Sequence, residues 1–152
     1  MAAPPPALRA PPGFVEPTFG RRLGGALVDL AVLFVPVVLL RATVAGGLGA
    51  TAALVVVAAY HVVLTARDGR TLGKAAVGTR VVDLESGAVP SPGQALRRWL
   101  TVIAGSLVAA IAPALDLVGA IYGVVVLVPI LSGPLHRGLH DRVASTVVTA
   151  AS

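Results

Sequence analysis

The sequence predicts an all-α membrane protein: a small bundle of four transmembrane or partly re-entrant helices, with a cytoplasmic loop holding a short β-hairpin. Three observations carry this. Hydrophobic residues make up 56% of the 152 residues and charged residues only 12%, against roughly 25% charged in ordinary soluble domains. That leaves too few polar groups to cover a water-facing surface. Apolar runs of bilayer length recur along the chain. The net charge of +5 comes from basic residues that flank those runs, the pattern of membrane topology and not of a nucleic-acid-binding face.

The chain opens on a tail, residues 1–18, that holds six of the twelve prolines. Such a segment reads as extended and disordered, and the membrane domain is expected over 19–152. The first apolar run is Leu23–Leu40. Its length corresponds to about 27 Å of helix, close to the hydrocarbon thickness of a bilayer. Arg21 and Arg22 precede it and Arg41 follows. A cleaved signal would be shorter and free of an acid such as Asp29, so a retained span is expected. A glycine-rich turn leads into the second run, Leu48–Ala66, with His61 near its far end.

The polar segment 67–98 carries six basic and three acidic residues and contains "GRTLGKAAVGTRVVDLESG". Its Gly73-Lys74 pair invites a phosphate-loop reading. That loop needs four residues between its glycines and a Ser or Thr after the lysine. Here three residues separate Gly69 from Gly73, and Ala75 follows Lys74, so the reading fails. Asp68-Gly69 is a turn pair. Alternation through Val77, Thr79, Val81 and Asp83, broken at Ser86-Gly87, reads as a strand and turn, either a local hairpin or a strand paired with "STVV" of the tail. Arg70 and Lys74 are expected at anionic lipid headgroups.

Trp99–Ser132 is long for one upright helix and short for two full spans. Two helices near 99–114 and 117–132, one long span and a re-entrant pair are the alternatives. Two helices place Pro113 and Asp116 in the far turn and put eleven of the twelve Lys/Arg on one side, with only Arg41 opposite. The excess of positive charge on cytoplasmic loops then favours four spans with both termini cytoplasmic. The tail is 133–152.

Asp29 is the most informative single residue. A carboxylate within a span turns into the bundle and finds a partner there, whether for ion or proton exchange or to clasp helices together. Arg22 lies on roughly the same helical face, seven residues earlier. His61 is a second candidate proton carrier, or an interfacial histidine. His136 and His140, four apart with Asp141 alongside, lack the glutamate of a zinc-protease helix, and Gly133, Pro134 and Gly138 argue against a helix there. No metal or other cofactor is expected. Ser132 and Ser145 have no nucleophile motif around them, so no enzymatic activity is expected. Gly119-x-x-x-Gly123 is a helix-packing pattern, and Trp99 and Tyr122 are candidate interface anchors.

Three segments, taken in order, resemble the RDD family of bacterial membrane proteins, named for an arginine and two aspartates. "FGRRLGGALVDLAV" looks like its opening Arg and intramembrane Asp, matching Arg22 and Asp29. "DGRTLGKAAVGTRVVDLESGAVPSPGQALRRWL" is similar to its central Gly-x-Thr-x-Gly-Lys segment, matching Gly69, Thr71, Gly73 and Lys74. "LHDRVASTVV" looks like its closing element, with Ser145 in place of a glycine, and matches Asp141, for which Asp116 is a rival. The resemblance implies a membrane protein, and for some members a transport role such as sodium/proton exchange. On physical grounds the small size favours an accessory or scaffold module, partnered by lipid, by a second copy or by another membrane protein. Cation/proton exchange through Asp29 is the alternative.

Overall fold

The computed structural model describes residues 9–111, 116–132 and 134–151. The chain is mostly helical. Helix α1 (Phe19–Thr43) and α2 (Gly47–Asp68) are both long and apolar enough to cross a membrane. Their 25 and 22 residues exceed the 18 and 19 expected, because each helix continues past its apolar run into its flanks. Thr18 caps α1, its hydroxyl accepting from the Arg21 amide at 3.3 Å. Exposed Leu27, Leu30, Phe34 and Val38 cover much of the outer face of α1, as a helix solvated by lipid requires.

Gly69 ends α2 in the left-handed region, at φ 69°, where a side chain is strained. A Cβ there would also lie 2.6 Å from the Val81 carbonyl oxygen. The expected turn at Asp68-Gly69 is therefore a helix cap, and it leads into a short helix, α3 (Leu72–Ala76), that the sequence reading did not anticipate. Strand β1 (Thr79–Asp83) follows. The Asp83 carboxylate then organises the turn, accepting from the Ser86 amide and hydroxyl, both at 2.8 Å, and from the Gln94 amide group. These bonds, the Ser86 amide first, hold its pKa at about 2.

Helix α4 (Pro92–Ile111) starts before the expected 99 and carries Arg97 and Arg98 in its second turn. Helix α5 (Asp116–Leu127) folds back along it, the Tyr122 hydroxyl donating to the Thr101 carbonyl at 2.8 Å. The Tyr122 hydroxyl is thus satisfied inside the chain. The turn expected at Pro113 lies outside the described residues. Gly123 has open space where a Cβ would stand, so it makes no close helix contact among the described residues. After α6 (Pro129–Ser132) and a 3₁₀ turn (Pro134–His136), helix α7 (Leu139–Val143) and strand β2 (Thr146–Ala150) complete the fold.

The β unit is a two-stranded antiparallel sheet pairing β1 with β2, Val81 opposite Val148. Of the two partners open to the loop strand, the tail strand is the one used. Val15 docks beside β2: the Val15 amide donates to Thr149 Oγ1 at 3.0 Å, and the Ala150 amide donates to the Val15 carbonyl at 2.8 Å. The N-terminal segment, the loop and the tail therefore meet at one end of the helices. Arg41, at the last turn of α1, stands away from them.

Candidate functional site

Two buried aspartates organise this end of the molecule. Asp29 is 4% exposed, on the face of α1 that also presents Gly25 and Leu33 to the interior. Its Oδ1 accepts from the Tyr60 hydroxyl at 2.6 Å and from the Gly73 amide at 2.8 Å. Its Oδ2 accepts from the Thr71 hydroxyl at 2.6 Å, and Lys74 Nζ stands 3.8 Å away. Three of these four groups come from the Thr71–Lys74 segment. The same threonine caps α3, Oγ1 accepting from the Lys74 amide.

Close approach of α3 to α1 makes this geometry attainable. A Cβ added to Gly73 would lie 2.7 Å from the Asp29 carboxyl carbon and would overlap the Gly25 carbonyl oxygen. Only a residue with no side chain brings its amide to the carboxylate there. The expected surface position of Lys74 gives way to an inward one: its side chain is 21% exposed, and burial pushes its ammonium down to about 8. Arg70 stays exposed.

Asp141 is fully buried and forms a direct ion pair with Arg98 of α4. Its Oδ2 accepts from the Gly138 amide at 3.2 Å, and its Oδ1 from the Thr146 hydroxyl at 3.3 Å. Arg137 wraps the same turn, Nε donating to the Thr146 carbonyl at 2.8 Å and a terminal nitrogen to the Asp141 carbonyl at 3.0 Å. The tail is thus fastened to α4 through one carboxylate. Asp116, the rival for the second family aspartate, begins α5.

His140 lies beside Asp141, and Arg22 borders the tail strand. His140 Nε2 is 3.4 Å from Asp141 Oδ2. Burial, reinforced by the positive charges of Arg98, Lys74 and Arg22, lowers the His140 pKa well below the usual histidine value, so it is neutral at pH 7. His136, by contrast, pairs with Glu16 from a left-handed backbone at φ 47°. The two histidines therefore do not share a helix, and no metal-ligand cluster occurs among the described residues. Arg22, expected on the Asp29 face of α1, donates to the Val148 carbonyl at 3.3 Å, and its Nε is buried without a partner among the described residues.

A cavity of about 590 Å³ opens between α1, α2 and α4, with Asp29, His61, Lys74, Arg98 and His140 at its polar end. His61 lies edge-on to Tyr60, and no hydrogen bond joins it to Asp29. The sequence-predicted residues Arg22, Asp29, His61, Gly69, Thr71, Gly73, Lys74 and Asp141 are thus gathered at one end of the helices. Sequence reasoning missed Tyr60, Arg98 and Thr146. In the sequence Arg98 reads only as a topological flank, although a second arginine against an apolar run is a signal of pairing.

The family model described as the RDD family matches residues 16–145. No curated protein and no solved structure matches the chain.

Proposed function

The chain belongs to the RDD family, and from that premise we propose that it is a non-catalytic membrane accessory or scaffold module. It crosses a bacterial inner membrane four times, the α4–α5 pair making the third and fourth crossings. The loop–sheet end, which carries eleven of the twelve Lys/Arg, faces the cytoplasm. It acts on no substrate and binds no nucleic acid. Its partners are lipid together with a second copy or another membrane protein.

The observation that supports this reading is the saturation of Asp29. Both carboxylate oxygens already accept short hydrogen bonds from Tyr60, Thr71 and Gly73. A carboxylate that exchanges protons for cations needs free lone pairs and a low cost of turnover. Here a cation would have to displace the clasp that fixes the loop to α1. The transport reading therefore lacks support from the one residue that prompted it.

The test is a flux measurement. Protein reconstituted into vesicles with an internal pH dye is challenged with sodium or potassium. The expected result is dissipation of a proton gradient no faster than in protein-free vesicles. In native membranes, cross-linking should join the chain to a second copy or to another membrane protein. Cation-driven proton movement that Asp29→Asn abolishes would overturn the proposal.

A further inference from the structure

The cleft between α1, α2 and α4 is apolar over most of its wall, and its mouth is bordered by Leu30, Phe34 and Val102, which are 65%, 62% and 49% exposed. In a bilayer that mouth opens onto acyl chains. The volume of about 590 Å³ falls in the range of pockets that enclose a single ligand, roughly 300–1,000 Å³. A primary amine stands at the polar end, that of Lys74. It belongs to the one lysine of a chain with eleven arginines. A guanidinium does not give up its proton in proteins, so Lys74 is the basic side chain able to act as a free amine.

Two features make this amine reactive. Its contacts are long, 3.5 Å to Thr71 Oγ1 and 3.8 Å to Asp29 Oδ2, so no short ionic hydrogen bond holds its protons. Burial first, and then the charge of Arg98, push its pKa down to about 8. At pH 7 about one Lys74 in ten is then a free amine, against fewer than about one in a thousand at the ordinary lysine value. Desolvation in an apolar pocket beside a second cation is how a lysine becomes a nucleophile toward carbonyl carbon. The cleft also restricts what the amine can meet. Lys74 is balanced by Asp29, and Arg98 by Asp141. A charged head would enter uncompensated, which a low-dielectric site penalises, so the cleft suits an uncharged one.

We propose that Lys74 forms a Schiff base with a long-chain aldehyde that enters the cleft from the bilayer. The free amine adds to the carbonyl carbon, and a C–N bond forms as the C=O π bond opens. The carbinolamine then loses its hydroxyl as water, leaving a C=N bond protonated at nitrogen. Counted from the ammonium, one aldehyde is consumed and one water released, with no oxidant or reductant. The iminium carries the single positive charge that the ammonium carried, so its balance with Asp29 is unchanged. An activated acyl group would instead leave a neutral amide and remove that balance, which is why the site suits an aldehyde. The hydrocarbon chain lies between α1 and α4, along Leu30, Phe34 and Val102. This inference goes beyond the scaffold reading and stands whether or not that reading holds.

The test traps the adduct in phosphatidylcholine vesicles at pH 7. Dodecanal or propanal is added with cyanoborohydride, which reduces the iminium to a stable secondary amine, and peptide masses locate it. The protein carries Arg70→Lys, which supplies a reference amine on the exposed side of the same loop and corrects for aldehyde gathered in the membrane. The rate at Lys74 relative to that reference should be at least about tenfold higher for dodecanal than for propanal, equivalent to burying about two methylene groups of the chain. Adding Val102→Trp fills the mouth from an exposed position. It should bring the dodecanal ratio down to the propanal one and leave the propanal ratio unchanged. Equal ratios for the two aldehydes, an undiminished dodecanal ratio in Val102→Trp, or no adduct at Lys74 would each overturn the proposal. Elution and helicity are first checked against the wild type. If Val102→Trp does not fold, the comparison of the two aldehydes decides alone.

Discussion

Asp29 and Asp141 do the same mechanical job by different chemistry. Each fastens a segment to a helix: Asp29 holds the Thr71–Lys74 segment on α1, and Asp141 holds the tail on α4. Asp29 is held mainly by neutral donors, two hydroxyls and one amide, with its cation at 3.8 Å. Asp141 is in direct contact with a guanidinium and is fully buried. A clasp of neutral donors spreads its energy over several modest bonds. A buried ion pair concentrates it in one partner whose loss leaves a charge stranded.

The most severe way to break the comparison is therefore Asp141→Asn. It strands Arg98, whose side chain is 13% exposed, and should cost about 3–5 kcal/mol, the usual penalty for an orphaned buried charge. Thermal unfolding in detergent checks this. Adding Arg98→Met should restore part of the loss, because removing both charges is far cheaper than removing one. A double variant no more stable than Asp141→Asn alone would show that the hydrogen bonds from Gly138 and Thr146, and not the ion pair, hold the tail.

The parallel pair of substitutions at the other site should behave differently. Asp29→Asn loses an acceptor and turns an amide N–H₂ toward donors, for about 1–3 kcal/mol. Combining it with Lys74→Met should show little coupling, under about 1 kcal/mol, because the ammonium is not in contact and the hydroxyls carry the clasp. Coupling as large as that between Asp141 and Arg98 would erase the distinction between the two sites.

The same contrast explains which parts were legible in the sequence. An acid inside an apolar run announces itself, so Asp29 was found and its inward orientation followed from lipid as solvent. Its partners did not follow. Helical periodicity pointed to Arg22, on the same face, but the partner segment is brought by α3, which packs on α1 only because Gly25 and Gly73 let the backbones meet. A contact between residues 44 apart leaves no periodic trace. The sheet is similar. Alternation marked β1, but the choice of the tail strand over a local hairpin depends on the helices returning to one end. Asp141 sat in a polar tail where nothing distinguished a buried acid from a solvated one, and Asp116 in an apolar run looked as good. Trp99 read as an interface anchor, and its buried, unpartnered N–H became apparent only once α4 was set against α1 and α2.

The smallest expected effect concerns His140, which stands beside Asp141. Its proton uptake is opposed by burial and by the cations of Arg98, Lys74 and Arg22, with Asp141 Oδ2 at 3.4 Å as the neighbouring anion. The folded pKa lies well below the unfolded value, so the unfolded chain binds a proton first as pH falls. The stability contributed by keeping His140 neutral is therefore fully present above about pH 6.5 and is lost progressively below it. Between pH 7.5 and 5.5 this amounts to about 1 kcal/mol. The check is Tm against pH for the wild type and for His140→Gln, which has no such titration. The wild-type curve should fall more steeply over that interval. If the two curves run parallel, His140 takes up its proton in the folded state as readily as in the unfolded one. Neither its burial nor the positive charges of Arg98, Lys74 and Arg22 would then oppose its protonation.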